Sequence, residues 1–202
     1  MNYNVALVPG RECGECTLCC QVQNIDKPQV QKASGVLCRH CTAGGCAIYE
    51  TRFDVCRGFH CGWRQLSNMD DNWRPDRSGV FIEFQILNGV TGLSLMLVGN
   101  PLKTVRQPWF VDFAANGITQ NVPLWMTLPG PPGHEGAQSL MNTNPMRQAA
   151  ATSRASLKAL LEVQLKRLQA YPFKPYVPKN SGNNVGPAPG VSAVDDVGFA
   201  DG

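Results

Sequence analysis

Long apolar runs are missing from this sequence, and the longest, around Leu93 to Val98, is far too short to cross a bilayer. No membrane span is therefore expected. The first ten residues hold a short apolar piece, Val5 to Val8, without a basic stretch before it or a small-residue cleavage site after it, so no signal peptide is expected either. Charge is scarce as well. Only 16% of the residues are charged and the formal net charge is +3, without the clustered lysine and arginine stripes that grip a polyanion. Nucleic acid is not an expected partner. These absences together point to a soluble, cytoplasmic protein, in which dense cysteine means metal or redox chemistry more often than disulfides. The cysteine count of nine agrees, because a secreted disulfide framework normally pairs all its cysteines.

What the chain does have is cysteine, all of it between Cys13 and Cys61. The stretch reads C-G-E-C-T-L-C-C from Cys13 to Cys20, then C-R-H-C-T-A-G-G-C-A-I-Y-E-T-R-F-D-V-C-R-G-F-H-C-G-W from Cys38 to Trp63. The pairs Cys13/Cys16, Cys16/Cys19 and Cys38/Cys41 have the C-x-x-C spacing with which two thiolates hold one ion, and Cys46, Cys56 and Cys61 follow. Four thiolates held together make a closed zinc site or an iron–sulfur cluster. Cys13 to Cys20 winds either as a helix, with Cys13, Cys16 and Cys20 on one face and Cys19 to the side, or as a knuckle loop. Other cysteine chemistries fail on spacing. Adjacent Cys19 and Cys20, followed by Gln21, do not fit a ferredoxin run. No C-x-x-x-C-x-x-C offers a radical-SAM cluster, and no strand-to-helix junction frames a thioredoxin-like C-x-x-C.

These two motifs resemble the YkgJ-like cysteine-cluster proteins, a family described as zinc- or iron-chelating domains and marked by C-x-x-C-x-x-C-C. The likeness runs from Cys13 to about Trp63, with a fainter echo in W-R-P-D-R at Trp73 to Arg77. It implies metal ligation by Cys13, Cys16, Cys19, Cys20, Cys38, Cys46, Cys56 and Cys61. The implied cofactor is zinc or iron, an iron–sulfur cluster included. Phe53 stands where the family usually has proline. Cys41 stands where many members carry another residue, which makes it a spare thiol or a ligand particular to a subgroup.

Outside the cysteines the pattern is of an α+β fold. Gln21 to Val36 is polar, carries Pro28 and Gly35, and reads as a connecting loop. Trp63 to Arg77 reads as a connector with a short helix. Val80, Ile82, Phe84 and Ile86 alternate with Phe81, Glu83 and Gln85, the period of a half-buried strand. Asn88-Gly89 then predicts a hairpin into a second strand, Leu93 to Val98. Pro108 to Ala115 suits a helix capped by Gly117 or a strand turning at Asn116-Gly117, and Ile118 to Leu128 suits a strand that Pro123 demotes to an edge or an irregular one.

The clearest helix is Ser153 to Ala170, with Leu157, Leu160, Leu161, Leu165 and Leu168 on one stripe and a Glu162/Lys166 pair beside it. Lys174 to Gly202 is rich in Pro, Gly, Asn and Ser and is expected to be disordered and dispensable for folding. The expected organisation is a cysteine-rich, metal-held module over 1–66, a small antiparallel sheet packed with the C-terminal amphipathic helix over 67–172, and a disordered tail over 173–202.

Three functions follow from that organisation. The first is a metal-binding protein of unassigned reaction, closed around its ion. The second is a metal-dependent redox or modification enzyme with an open coordination position, and the third a metal-handling or adaptor protein. His40 and His60 flank cysteines and are ligand candidates, but a supporting role is expected because cysteine suffices. Arg52 and Arg57 are candidates to offset thiolate charge, Arg39 is read as surface charge, and His134 as a loop residue.

Overall fold

Short elements dominate the cysteine region of the computed structural model, which describes residues 6–177. Cys13 to Cys16 forms a turn, with the Cys16 N–H donating to the Cys13 carbonyl at 3.0 Å, and a one-turn helix α1 (Leu18–Val22) follows. A single helix over Cys13 to Cys20 is thus not formed: Cys13 and Cys16 lie in a turn, and only Cys19 and Cys20 are helical. Strands β1 (Ile25–Lys27) and β2 (Val30–Lys32) pair as an antiparallel hairpin inside the stretch expected to be a loop. A smaller hairpin joins β3 (Cys41–Thr42) to β4 (Gly45–Cys46), placing Cys41 opposite Cys46. Single turns of helix follow at α2 (Asp54–Arg57), α3 (Gly62–Gln65) and α4 (Pro75–Ser78).

Strand β5 (Val80–Leu87) runs antiparallel to β6 (Val90–Leu97), in register from Val80↔Leu97 to Leu87↔Val90. The turn between them is Asn88-Gly89, with φ of 49° and 80°. Two consecutive positive φ angles make the turn whose twist matches the flanking strands. The chain then crosses over through α5 (Pro101–Val105) and α6 (Pro108–Thr119) before β7 (Leu124–Leu128). That crossover makes β7 parallel to β6, so the sheet is antiparallel at its outer pairings and parallel at its centre, not antiparallel throughout as expected. Strand β8 (Ala137–Leu140) completes the order β5-β6-β7-β8. Helices α7 (Asn144–Thr152) and α8 (Arg154–Gln169) close the fold.

The alternation in β5 sends Val80 and Ile82 to the core as the sequence suggests, but Phe81 on the opposite face is buried as well, under the cysteine region, and Ile86 is exposed. Val80 and Ile82 join Leu95, Leu97, Leu124 and Met126 on the face covered by α6 and α8. From α8, Leu157, Leu161, Leu165 and Leu168 are buried in that core, while Leu160 is partly buried. Ser153 caps α8, its Oγ accepting from the Ser156 N–H at 3.1 Å. Glu162 pairs not with Lys166 but with Arg106, whose two nitrogens reach its carboxylate at 3.0 and 2.8 Å. Among the described residues no helix is long and apolar enough to cross a membrane.

The cysteine region wraps the edge strand β5. On the core face α3 lies so close that a Cβ on Gly62 would stand 2.5 Å from Ile82 Cγ2. On the other face the Phe59 ring stacks on Phe81 with centroids 5.8 Å apart. Trp63, Met69 and Trp73 enter the same core as the sheet, so the regions divided at residue 66 share one interior.

The ordered fold also passes the boundary expected at 172. Phe173 packs on the core, the Glu135 N–H donates to the Lys174 carbonyl at 2.8 Å, and the Tyr176 N–H donates to the Gly133 carbonyl at 2.8 Å. His134 and Pro175 form an isolated bridge. The rest of the expected tail, 178–202, lies outside the described residues. A chain truncated after Pro172 is expected to be less stable than one ending at Val177 by about 1–3 kcal/mol, from two lost backbone hydrogen bonds and the lost packing of the Phe173 ring. Denaturant titration of the two truncations checks this, and coincident curves would refute it.

Candidate metal centre

The cysteines of both motifs meet at one cavity of about 160 Å³, roofed by the short turns of the cysteine region and floored by Phe81 of β5. Cys13, Cys16, Cys19 and Cys20 line it from the first motif, and Cys38, Cys46, Cys56 and Cys61 from the second. Cys41 is not in that lining, although its thiol hydrogen-bonds with Thr17 and Cys20. All nine cysteines are free thiols and each is half-buried. The chain brings the motifs together through its own backbone. The Cys38 N–H donates to the Cys20 carbonyl, and the Gly35 N–H to the Gln21 carbonyl, both at 3.0 Å.

Within the cavity the thiols sort into two neighbourhoods that cross the motifs. Cys61 lies within electrostatic reach of Cys13 and Cys16. Its thiol is pushed up to about 11 by burial, against N–H groups of Arg64 and Trp63 that would favour a thiolate. Cys16 is also raised by burial, and the Leu18 N–H opposes the shift. Backbone N–H groups aimed at sulfur are what a bound thiolate uses to spread its charge. The second neighbourhood surrounds Cys56, which is raised by burial and then by Cys38, Cys20 and Cys46. Cys20 is raised first by its hydrogen bond to the Cys19 side chain, so these adjacent residues present their thiols to each other. Cys41 is pushed up to about 11 by burial and by Cys20.

Every cysteine whose ionisation is clearly changed is thus pushed up, the reverse of a nucleophilic cysteine. Among the described residues, no three Cys, His, Asp or Glu side chains are placed so that they could hold one metal ion as they stand. The donor set fits a soft metal in kind, because thiolate is the ligand that zinc and iron–sulfur centres use. The thiols would have to swing together to reach the sulfur–metal distance of about 2.3 Å.

Two cations at this cavity, one half-buried and one buried, were not found from the sequence. Arg64 of α3 brings its Nη1 to 3.8 Å from Cys13 Sγ, and its Nε is buried without a hydrogen-bond partner. Lys32 ends β2 and is 8% exposed. Its ammonium is pushed down to about 8 by burial, against the pull of Cys38, Cys20, Cys19 and Cys41. Lys32 stands in a polar stretch read as a loop and Arg64 in the connector after Cys61, and neither place marks a residue as interior. A faint signal was the alternation of Val30 and Lys32 with exposed Gln29 and Gln31.

The candidates that were named take smaller parts. Arg52 lines the cavity, but its guanidinium lies 3.6 Å from the centre of the Tyr49 ring and its Nε donates to the Tyr49 carbonyl at 2.7 Å. Arg57 is exposed and pairs with Asp54. Arg39 is exposed and donates from Nε to His40 Nε2 at 3.1 Å. His40 and His60 both line the cavity. The imidazole of His60 is held below its usual range by burial and by Arg64 and Arg52.

Beside the cavity, Glu83 of β5 is held above the usual carboxylate range by burial, partly offset by Gln23 Nε2 donating to its Oε1 at 2.6 Å. A carboxyl with a raised folded-state pKa holds its proton more tightly in the native chain than in the unfolded one. Stability from this group therefore falls as pH rises from its unfolded value, about 4.3, through the folded one. Glu83→Gln is expected to raise the unfolding midpoint at neutral pH and to flatten that part of the slope. Denaturation of both proteins from about pH 4 to 7 measures it. A variant that tracks the wild type at every pH would show that burial does not perturb Glu83.

No protein-family model, curated protein or solved structure matches this chain.

Proposed function

We propose that the protein binds metal through thiolates supplied by both cysteine motifs, with zinc or iron, an iron–sulfur cluster included, as the ion. One observation carries this reading: eight cysteines from motifs separated by a polar hairpin line a single cavity, while the ninth, Cys41, does not. They are the eight that the resemblance to YkgJ-like proteins implies as ligands. Half-buried free thiols in such number have little value as packing, since any small apolar residue would fill the same volume. As thiolates on a cation they supply folding energy to a region whose longest helix is one turn.

Function as a metal-binding centre in a reducing compartment is tested by anaerobic purification of the full chain, followed by metal analysis and an absorption spectrum. The expected result is zinc or iron in stoichiometric amount, with sulfur-to-metal charge-transfer absorption if the ion is iron. Protein that arrives with nine titratable thiols and takes up neither metal would overturn the proposal.

A further inference from the structure

A lysine buried among thiols calls for an explanation that metal binding alone does not give. Lys32 Nζ donates to the carbonyls of Gln21 at 2.9 Å, Ala33 at 3.1 Å and Val36 at 2.8 Å. Three donors are all that an ammonium has. Its orientation is therefore set, and it has no proton left to give a ligand of its own. Lysine is seldom buried without a compensating negative charge. Among the described residues no carboxylate forms an ion pair with it. The ionisable groups that face it are Cys38, Cys20, Cys19 and Cys41.

The carbonyls it binds also matter for where they lie in the chain. Gln21 directly follows Cys20, and Val36 stands just ahead of Leu37 and Cys38. By holding both, Lys32 clasps the two ends of the segment between the motifs and keeps Cys20 beside Cys38. When thiols bind a metal they release their protons, and four thiolates on a divalent ion leave a net negative charge. An ammonium already fixed in place offsets that charge without any reorganisation.

We propose that Lys32 is the built-in counter-charge and positioning residue of the thiolate centre shared by Cys19, Cys20 and Cys38. This rests on the metal-binding function proposed above. Removing the positive charge leaves the sulfur lone pairs higher in energy. Charge transfer from sulfur to a bound metal then moves to lower energy, a change that a purely structural lysine would not produce.

The probe is cobalt(II), loaded anaerobically into metal-depleted, full-length protein, with the affinity and the thiolate-to-cobalt band both recorded. Lys32→Gln keeps an amide donor for the carbonyls and loses the charge. It is expected to bind cobalt about tenfold to a hundredfold more weakly, with the band shifted to lower energy. Lys32→Arg keeps the charge and is expected to return the band to its wild-type position. A Lys32→Gln protein that matches the wild type in affinity and in band overturns the role of Lys32 and leaves metal binding standing. Wild-type protein without any thiolate-to-cobalt band overturns metal binding, and this proposal with it. If Lys32→Gln does not fold by far-UV circular dichroism, Lys32→Arg decides: a wild-type band supports the counter-charge, and a shifted band in a folded protein overturns it.

Discussion

Leu161→Asp is expected to destabilise the protein by about 5 kcal/mol or more, a large share of the roughly 5–15 kcal/mol by which folded domains are stable. Leu161 is 0% exposed in the middle of α8, against the face of the sheet that carries Leu95 and Met126. Two costs add at this position. Removing a buried leucine alone costs about 2–5 kcal/mol, because the surrounding core cannot fully collapse into the space. Placing a carboxylate there adds the cost of a desolvated charge, since Leu161 is fully buried within the hydrophobic core. Val163→Asp on the same helix is the control, because Val163 is 43% exposed and its replacement should stay within about 0.5 kcal/mol. Chemical denaturation of the pair separates burial from helix propensity. Equal midpoints would mean that α8 does not pack on the sheet.

That helix could be placed from sequence because its signals agree with one another: a leucine stripe at helical period, a serine cap and a proline just past its end. The β5–β6 hairpin was legible for a similar reason, since one face of β5 is core and Asn88-Gly89 accepts the two positive φ angles of the turn. The strand expected over Ile118 to Leu128 contains β7, but it starts only at Leu124, because Ile118 and Thr119 end α6, and it lies inside the sheet, not at an edge; burial explains why its placement was misjudged. All five of its residues are buried, so they show no alternation, as is usual for a strand covered on both faces. Pro123 looked like an interruption but lies one residue ahead of β7, where it lacks only a donor that the ladder does not use. Its carbonyl accepts from the Leu93 N–H at 2.8 Å. Gly117, which looked like a helix cap, sits inside α6, where a Cβ would meet Leu124 Cδ1 at 2.6 Å. Close packing between helix and strand, not a turn, accounts for that glycine.

Helix α7 was missed because Met146 and Ala149 are its only buried residues, too few to mark a stripe. At the candidate centre, spacing located the cysteines but not the cations around them. A lysine in a polar stretch gives no sign of burial until the chain beside it closes.

Cys56→Ser is expected to strip metal from both motifs, and comparison with Cys41→Ser makes the result diagnostic. Cys56 stands on α2 among Cys38, Cys20 and Cys46, so its nearest thiols come from both motifs. Serine is nearly the same size, but its hydroxyl is a far poorer donor to a soft metal. A structural zinc contributes on the order of 10 kcal/mol at neutral pH, which is more than the short elements before Trp63 can replace. The segment from Gln21 to Val36 is held by the β1–β2 hairpin and by the clasp of Lys32. The Cys56→Ser protein should therefore keep that hairpin while losing bound metal and becoming sensitive to protease across the two cysteine motifs. Cys41→Ser, which alters a thiol outside the cavity lining, should keep its metal and its resistance. Metal analysis and limited proteolysis of both variants, with Cys16→Ser as a first-motif counterpart, distinguish the arrangements. If Cys56→Ser keeps the first motif fully metallated and the region as resistant as the wild type, the motifs bind independently and the shared centre is wrong.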